Sequence, residues 1–163
     1  MSKLSLKLKI YNMMTIEELK KNLTKKSRLL GLDLGSKRIG VSICDDKQSI
    51  ATPYKTINNT NVEKLITEIL AIIEENNIGG IIIGNPINMD GSVGRSSQSV
   101  KDVASNISKS VNLPICLWDE RLSTAGAFNL SSQLDVNFSK RVKNIDQNAA
   151  AFILQGAIDY LSN

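Results

Sequence analysis

The chain has 163 residues, of which 42% are hydrophobic, and this length and composition predict one globular domain with a full-sized core. Its net charge of +4 comes from the first 28 residues, which hold eight Lys and Arg against two Glu. The basic charge therefore does not by itself indicate nucleic-acid binding by the rest of the chain. Histidine is absent, which excludes Ser-His-Asp and Cys-His nucleophiles, zinc sites with His ligands and a His general base.

Residues 1–27 are predicted to be a basic extension of the domain, flexible or used for docking. Within it, Thr15-Ile16-Glu17-Glu18 has the pattern of a capping box and predicts a short helix through about residue 26. No apolar run approaches the ~20 residues that cross a bilayer, and the extension lacks the apolar core of a signal peptide. The sequence therefore predicts a soluble cytoplasmic protein, in which Cys44 and Cys116 are buried thiols of a reducing compartment.

Strand patterns dominate the chain from residue 28 to residue 83. Three strands are predicted first, at residues 28–34, 38–45 and 50–57. Gly35-Ser36-Lys37 separates the first two and predicts a hairpin. Apolar residues then recur at helical spacing from Val62 to Ile73, and the continuous apolar run at 78–83 is typical of a strand covered on both faces.

The second half of the chain alternates helices with one more strand. Polar residues and helix breakers from Gly84 to Gly94 predict a loop. The elements predicted after it are a helix at 95–109, a strand at 114–118, a helix at 123–130, a polar loop at 131–144 and a helix at 145–161. Three antiparallel strands followed by two β-α units predict an α/β fold, with a five-stranded mixed sheet flanked by helices. The carboxyl ends of the first, fourth and fifth strands meet at one edge, where open α/β sheets place their sites.

Asp33 stands within the first predicted strand, on the same face as Gly31 and Gly35. An ionised carboxylate inside a buried strand is costly unless it is paired or bound to a metal. The flanking glycines leave room for a ligand to approach the backbone. Two interpretations remain open at this point, a salt bridge to Lys37 or Arg38 and a functional site.

Two further acids, Glu120 and Asp146, are predicted to face the same sheet edge. Glu120 follows the last strand and shares the alternation phase of Trp118; its alternative role is an ion pair with Arg121. Asp119 has the opposite phase and fits a turn or helix-cap residue. Asp146 lies in the first turn of the last helix, on its apolar stripe, where its alternative role is to favour the positive helix end.

Convergence of Asp33, Glu120 and Asp146 indicates a metal site. Three carboxylates within a few ångströms repel one another, and a divalent cation removes that repulsion. Ligands that are all oxygen favour Mg²⁺ or Mn²⁺ over zinc. Two such ions, roughly 3.5–4 Å apart, activate water and stabilise the leaving oxygen of a phosphodiester without any histidine. We therefore expect Asp33 to be a metal ligand.

Four segments together resemble a known family. They are GLDLGSKRIGVSICD (31–45), IIIGNPINMDGSVG (81–94), DERLST (119–124) and NIDQNAAAFILQ (144–155). In this order, over about residues 28–161, they resemble the YqgF/RuvX family of RuvC-like proteins, which are described as pre-16S rRNA nucleases or Holliday junction resolvases. The resemblance implies an RNase H-like fold and metal-dependent phosphodiester hydrolysis.

The resemblance also implies roles for individual residues. It places the family's catalytic and metal-binding acids at Asp33, Glu120 and Asp146. The residues that it implies around this site are Arg38, the 88–94 loop, Arg121 and Thr124. The guanidinium forks of Arg38, Arg95 and Arg121 suit phosphate groups, with surface ion pairs as the alternative role. The implied partners are structured RNA or branched DNA, and ribosomal precursor particles, while the oligomeric state stays open.

The chain departs from the family's pattern at several positions. Asn85 stands where the family has an apolar residue, and Phe128 and Asn129 stand where an acid is expected. The basic extension is also longer than usual. Junction resolvases of the broader superfamily carry a fourth acid on the last helix, where this chain has Ala149. This difference favours cleavage of RNA or single strands over junction resolution.

Three functions remain as alternatives. The first is a Mg²⁺-dependent nuclease that processes the precursor of small-subunit rRNA. The second is a nucleic-acid or ribosome-assembly binding module with little catalysis, which the basic extension and Ala149 favour. The third is a nucleotide-binding lobe of the actin or sugar-kinase type, because GLDLGSKRIG resembles their phosphate loop. It ranks last, since 163 residues leave room for one of the two lobes that such ATPases need.

Overall fold

The computed structural model describes residues 13–24, 26–86, 90–91, 94–122 and 145–163. For residues 95, 96 and 145–147 it describes the backbone alone. The predicted helix at 123–130, the polar loop at 131–144 and Thr124 lie outside these ranges. Residues 1–12 of the predicted extension also lie outside them.

Strands and helices alternate along the chain largely as the sequence predicts. The strands are β1 (Met13–Met14), β2 (Arg28–Leu34), β3 (Arg38–Cys44), β4 (Ala51–Asn58), β5 (Ile78–Asn85) and β6 (Ile115–Asp119). The helices of the described ranges are α1 (Ile16–Asn22), α2 (Val62–Asn76), α3 (Arg95–Ser110) and α4 (Ile145–Leu161), and a 3-10 turn covers Glu120–Leu122. None of these helices is long and apolar enough to cross a membrane.

The six strands of the described residues form one mixed sheet in the order β1-β6-β5-β2-β3-β4. β2, β3 and β4 form an antiparallel meander, whereas β5 lies parallel to β2 and β6 lies parallel to β5. Because β2, β5 and β6 run in the same direction, their carboxyl ends lie at one edge of the sheet. This is the α/β architecture that the sequence predicts.

The strand count differs from the prediction of five. Met13 and Met14 form β1, which pairs in parallel with Ile115 and Cys116 of β6 and adds an outer strand. Two residues are too few to show the alternation by which a strand is recognised. The prediction of five strands is therefore wrong by one short edge strand.

Residues 13–22, which the sequence analysis placed in the extension, pack on the sheet. The Thr15 hydroxyl accepts the backbone N–H of Glu18 at 3.2 Å, which is the N-cap half of the predicted capping box, and it donates to the Glu18 carboxylate at 3.2 Å. The helix ends at Asn22 rather than near residue 26. Its Leu19 side chain is fully buried, so this part of the extension contributes to the core.

Each face of the sheet carries an apolar core. α2 and α3 cover one face, which includes Leu30 and Leu32 of β2. α1 and α4 cover the other face, which includes Leu29. The alternation along β2 is the predicted one, and it places Gly31 and Asp33 on the α4 face.

Both cysteines are buried thiols without a disulfide. Burial raises the pKa of Cys116 to about 12 and raises the pKa of Cys44 as well. Thiols of this kind are poor nucleophiles at neutral pH, because the reactive species is the thiolate. They serve as small apolar side chains in the core, as the sequence predicts.

Candidate active site

Asp33 lies one residue before the end of β2, at the edge of the sheet where the parallel strands end. The β2–β3 turn that follows it is closed tightly by Gly35. A Cβ on Gly35 would lie 2.4 Å from the carbonyl oxygen of Arg38, so a side chain has no room there. The Asp33 side chain is half-buried, which keeps its carboxylate within reach of a ligand at this edge.

Glu120 comes to the same edge from β6. It begins the 3-10 turn that directly follows the strand, and its side chain lies over Gly84 of β5. A Cβ on Gly84 would be 2.6 Å from the Oε1 atom of Glu120 and 2.5 Å from Cδ1 of Ile153. Glycine at this position therefore provides the space that the carboxylate occupies.

The charge of Asp33 acts on the carboxyl of Glu120. Burial raises the pKa of the Glu120 carboxyl, and the negative charges of Asp33 and then Asp119 raise it further. In β2 and β5, Leu32 pairs with Ile83, so Asp33 follows at the level of Gly84, over which Glu120 lies. Two of the three predicted carboxylates are thus brought together by the fold.

Arg121 pairs with Asp119 and not with Glu120. Its Nη2 atom is 2.7 Å from Oδ2 of Asp119, and its Nε atom is 3.1 Å from both carboxylate oxygens. The backbone N–H of Arg121 also donates to Oδ1 at 3.0 Å, as in an Asx turn. These hydrogen bonds hold the pKa of Asp119 below its usual value. The sequence offered an ion pair between Glu120 and Arg121 as an alternative role for Glu120. In the structure, Arg121 forms its ion pair with Asp119 instead.

The loop after β5 approaches Arg121, and a hydrogen bond joins the elements on its two sides. The Nη1 atom of Arg121 lies 3.7 Å from the position that a Cβ of Gly91 would take, and the charge of Asp90 acts on the same guanidinium. At the other face, the Ser97 hydroxyl donates to the Asn85 side chain at 2.6 Å, and both side chains are buried. Asn85 thus joins the end of β5 to the first turn of α3, which explains a polar residue at this position.

The first turn of α4, which carries Asp146, lies at the same end of the sheet. Ala150 contacts the middle of β2 and β3, where its carbonyl accepts the Ser42 hydroxyl at 2.8 Å. Gln155 contacts Ala51, the first residue of β4, and Ser49 of the β3–β4 turn, which lies beside the amino end of β2. The helix therefore runs antiparallel to β2, and its amino end points toward the edge that carries Asp33.

The four residues predicted to bind substrate differ in where the structure places them. Arg38 begins β3 at the edge that carries the carboxylates, and its side chain is exposed. Arg95 begins α3, next to the loop at 86–94, and only its backbone is described. Arg121 lies beside Glu120 and is held by Asp119. Thr124 lies outside the described residues.

The two described carboxylates fit a hard divalent cation. Their mutual repulsion and the burial of Glu120 are the conditions that a bound cation relieves. The donors are all oxygen, which suits Mg²⁺ or Mn²⁺. Among the side chains that the structure describes, no group of three His, Cys, Asp or Glu is found, and the Asp146 side chain is not among them.

Sequence reasoning missed two residues that shape this region. Gly84, which follows three consecutive isoleucines, provides the space for Glu120. Ser42 is a fully buried hydroxyl that bonds α4 to the sheet. The available signals were a glycine at the end of an apolar strand and a lone polar residue inside another. Neither signal identifies the partner, because that partner is distant in the sequence.

The chain matches a family model over most of its length. The model is described as "RuvX: Holliday junction resolvase" and matches residues 27–160. A protein of Pelagibacter ubique (strain HTCC1062), named "Putative pre-16S rRNA nuclease", is 75% identical over 151 residues, which cover 93% of this chain and 100% of the relative. A protein of Ruegeria pomeroyi with the same name is 44% identical and covers 91% of this chain and 97% of its own length.

Solved structures with low sequence identity share the fold. RuvC of T. thermophilus in complex with a Holliday junction substrate has a TM-score of 0.56 at 11% identity, over 84% of this chain and 96% of the other. A second Thermus thermophilus RuvC structure has a TM-score of 0.50 at 12% identity, over 82% and 95% of the two chains. These similarities confirm the predicted RuvC-like architecture.

Proposed function

The chain belongs to the RuvX family and is a nuclease by that membership, and we propose that it cuts the precursor of 16S rRNA with the help of a divalent cation. The observation that supports this proposal is the position of the Glu120 carboxylate over Gly84, at the sheet edge that also carries Asp33, whose charge acts on Glu120. The names of its relatives support the choice of substrate.

Asp33, Glu120 and Asp146 are the residues that would hold Mg²⁺ or Mn²⁺, as one ion or as a pair. When bound, the metal stabilises negative charge on the phosphate and lowers the pKa of a water molecule. Glu120 would orient the attacking water and accept its proton.

Phosphate binding is assigned to the arginines near the carboxylates. The guanidinium of Arg121 uses Nε and Nη2 for Asp119, and Nη1 faces the loop at Gly91. This arrangement fixes the plane of the fork beside the loop, where the guanidinium would meet a phosphate oxygen of the substrate. Arg38, Arg95 and Thr124 complete the proposed set of substrate ligands.

A branched DNA substrate is the second candidate, because the family model carries the description of a Holliday junction resolvase. RNA is favoured over it by the last helix. The position for a fourth acid holds Ala149, which is half-buried on α4. Binding without cleavage is the third candidate and is an outcome of the same experiment.

The test is cleavage of a pre-16S rRNA fragment and of a four-way DNA junction by the wild-type chain and by Asp33→Asn. We expect Mg²⁺-dependent or Mn²⁺-dependent cleavage of the RNA, and a loss of at least about 100-fold in the variant, on the scale of lost electrostatic catalysis. Asp46→Asn is the matched control, since Asp46 is exposed in the β3–β4 turn at the other end of the sheet.

Three outcomes would decide against parts of the proposal. Equal cleavage by wild type and Asp33→Asn would remove the carboxylates from the chemistry. Preferential cleavage of the junction would replace the RNA substrate by DNA. RNA binding that persists in EDTA, with no product at any metal concentration, would establish the binding module instead.

A further inference from the structure

Ser42 is a buried polar residue that the proposed chemistry does not use. It lies on β3 directly opposite Gly31 of β2, and its side chain is fully buried. Its hydroxyl donates to the Ala150 carbonyl of α4 at 2.8 Å. This carbonyl is also an acceptor in the helix's own hydrogen-bond ladder. The bond from Ser42 therefore adds a direct connection between the sheet and α4.

The sheet and the helix are unusually close at this point. A Cβ on Gly31 would lie 2.3 Å from the Ser42 Oγ atom, 2.8 Å from Cβ of Leu154 and 3.1 Å from the Ala150 carbonyl oxygen. The helix thus rests on the backbone of β2 without an intervening side chain. Gly31 sets how near α4 can come, and the Ser42 hydroxyl holds it there.

The contact between Ser42 and Ala150 lies one short step along each element from Asp33 and from the backbone of Asp146. Asp146 precedes Ala150 by four residues, which is about 6 Å along a helix. Asp33 follows Gly31 by two residues, which is about 7 Å along a strand. Because α4 and β2 are antiparallel, both steps lead to the same edge of the sheet. A shift of α4 at Ala150 would therefore move the backbone of Asp146 relative to Asp33.

A second anchor holds α4 farther along the helix. The Gln155 side chain accepts the backbone N–H of Ala51 at 2.8 Å and donates to the Ser49 carbonyl at 3.0 Å. This anchor is nine residues beyond Asp146, about 13 Å along the helix. It fixes the helix near the β3–β4 turn, whereas the contact at Ser42 lies closer to its first turn.

We infer that Ser42 is a positioning residue, which sets the first turn of α4, and with it the backbone of Asp146, relative to the edge that carries Asp33 and Glu120. The inference rests on the proposed function, since it explains how the third carboxylate is placed. It assigns Ser42 no contact with substrate or metal.

The experiment compares Ser42→Ala with Gln155→Met, each of which removes hydrogen bonds between α4 and the sheet. Mn²⁺ binding is titrated directly, amide hydrogen exchange is measured along α4 in metal-free protein, and RNA cleavage is measured against metal concentration. For Ser42→Ala we expect Mn²⁺ binding weakened at least fivefold, a lower kcat and an unchanged KM for RNA. Exchange should be faster in the first two turns of α4. For Gln155→Met we expect wild-type Mn²⁺ binding and faster exchange only in the later turns.

Ser42→Cys keeps a weaker donor at the same place and should fall between wild type and Ser42→Ala in Mn²⁺ affinity. Wild-type Mn²⁺ affinity in Ser42→Ala would overturn the inference, even if the helix exchanges faster. Equal weakening by Gln155→Met would also overturn it, because general loosening of α4 would then suffice. Absence of RNA cleavage in every variant and in wild type would count against the proposed function alone, since Mn²⁺ binding and exchange still test Ser42.

Discussion

At the scale of single residues, Glu120 lies in an environment that opposes its ionisation. Its carboxylate is half-buried and lies near the charge of Asp33, and both conditions raise its pKa. Its neighbour Asp119 has the opposite environment, since hydrogen bonds from Arg121 lower its pKa. Adjacent acids thus have opposite effects on folding, because a raised pKa means that ionisation disfavours the folded state and a lowered pKa means that it favours it.

Glu120→Gln should therefore raise the thermal stability of the metal-free protein at pH 7, because the amide carries no charge to desolvate beside Asp33. The difference from wild type should vanish as the pH falls below the ordinary value of a glutamate, where Glu120 is neutral in the folded and unfolded chains alike. Thermal unfolding in EDTA between pH 3 and pH 7 measures this.

Asp119→Asn is the matched control for this prediction. It weakens the ion pair with Arg121, so it should lower the melting temperature at neutral pH or leave it unchanged. A fall in stability for Glu120→Gln would contradict the proposed environment of this carboxylate.

At the scale of elements, the β3–β4 turn illustrates how a local pattern builds structure. Asp45 directly follows β3, and its Oδ1 atom accepts the backbone N–H groups of Ser49 at 2.8 Å and Ile50 at 2.9 Å. Its Oδ2 atom accepts the Ser49 hydroxyl at 2.8 Å. These bonds lower the pKa of Asp45 to about 2. The turn thereby aligns β4. The backbone N–H of Ala51, the first residue of β4, also donates to the Gln155 side chain.

Asp45→Ala should destabilise the fold at neutral pH, and its effect should depend on pH. A lowered pKa contributes stability that is present above the ordinary value near 3.8 and is lost as the pH falls through about 2. The difference in unfolding free energy between wild type and variant should therefore be constant above pH 5 and shrink toward pH 2. Urea unfolding at several pH values measures it.

Asp46→Ala serves as the control, since Asp46 is the exposed neighbour in the same turn. Its effect should be small and independent of pH. A pH-independent loss for Asp45→Ala would show that the charge of Asp45 does not stabilise the turn.

At the scale of the whole molecule, the residues before β2 complete one core. Leu19 of α1 is fully buried in the cluster that includes Trp118 of β6 and Leu154 of α4. The rings of Trp118 and Tyr160 meet edge to face at 5.7 Å, and the Tyr160 hydroxyl donates to Glu17 at 2.7 Å. α1 therefore packs against both the sheet and the end of the last helix.

Leu19→Ala should destabilise the whole domain by about 2–5 kcal/mol, as expected for a large cavity in a packed core. Leu70→Ala is the matched control, because Leu70 lies on α2 and is 41% exposed, and it should cost well under half of that. Chemical denaturation followed by circular dichroism measures both. A Leu19→Ala protein as stable as wild type would mean that residues 13–22 are dispensable for the core.

Much of the molecule can be predicted from the sequence because its signals are local. Alternation along 28–34 and helical periodicity along 145–161 identify elements whose bounds the structure repeats. The alternation along 28–34 assigns Asp33 to the face that α4 covers. The alternation along the strand at 114–118 puts Glu120 in phase with Trp118. These patterns are read over a few neighbouring residues, so no knowledge of the fold is needed to find them.

Other features were decided by tertiary structure. Arg121 could pair with either of two adjacent acids, and the geometry of the 3-10 turn selects Asp119. Glu120 occupies the space over Gly84, and β1 pairs with β6 across a hundred residues of sequence. The last two depend on contacts between distant segments, and the first depends on the geometry of a turn, and none of them leaves a periodic trace in the sequence. The sequence by itself therefore determined the elements and the candidate acids, whereas only the packed sheet and helices decided which of them meet.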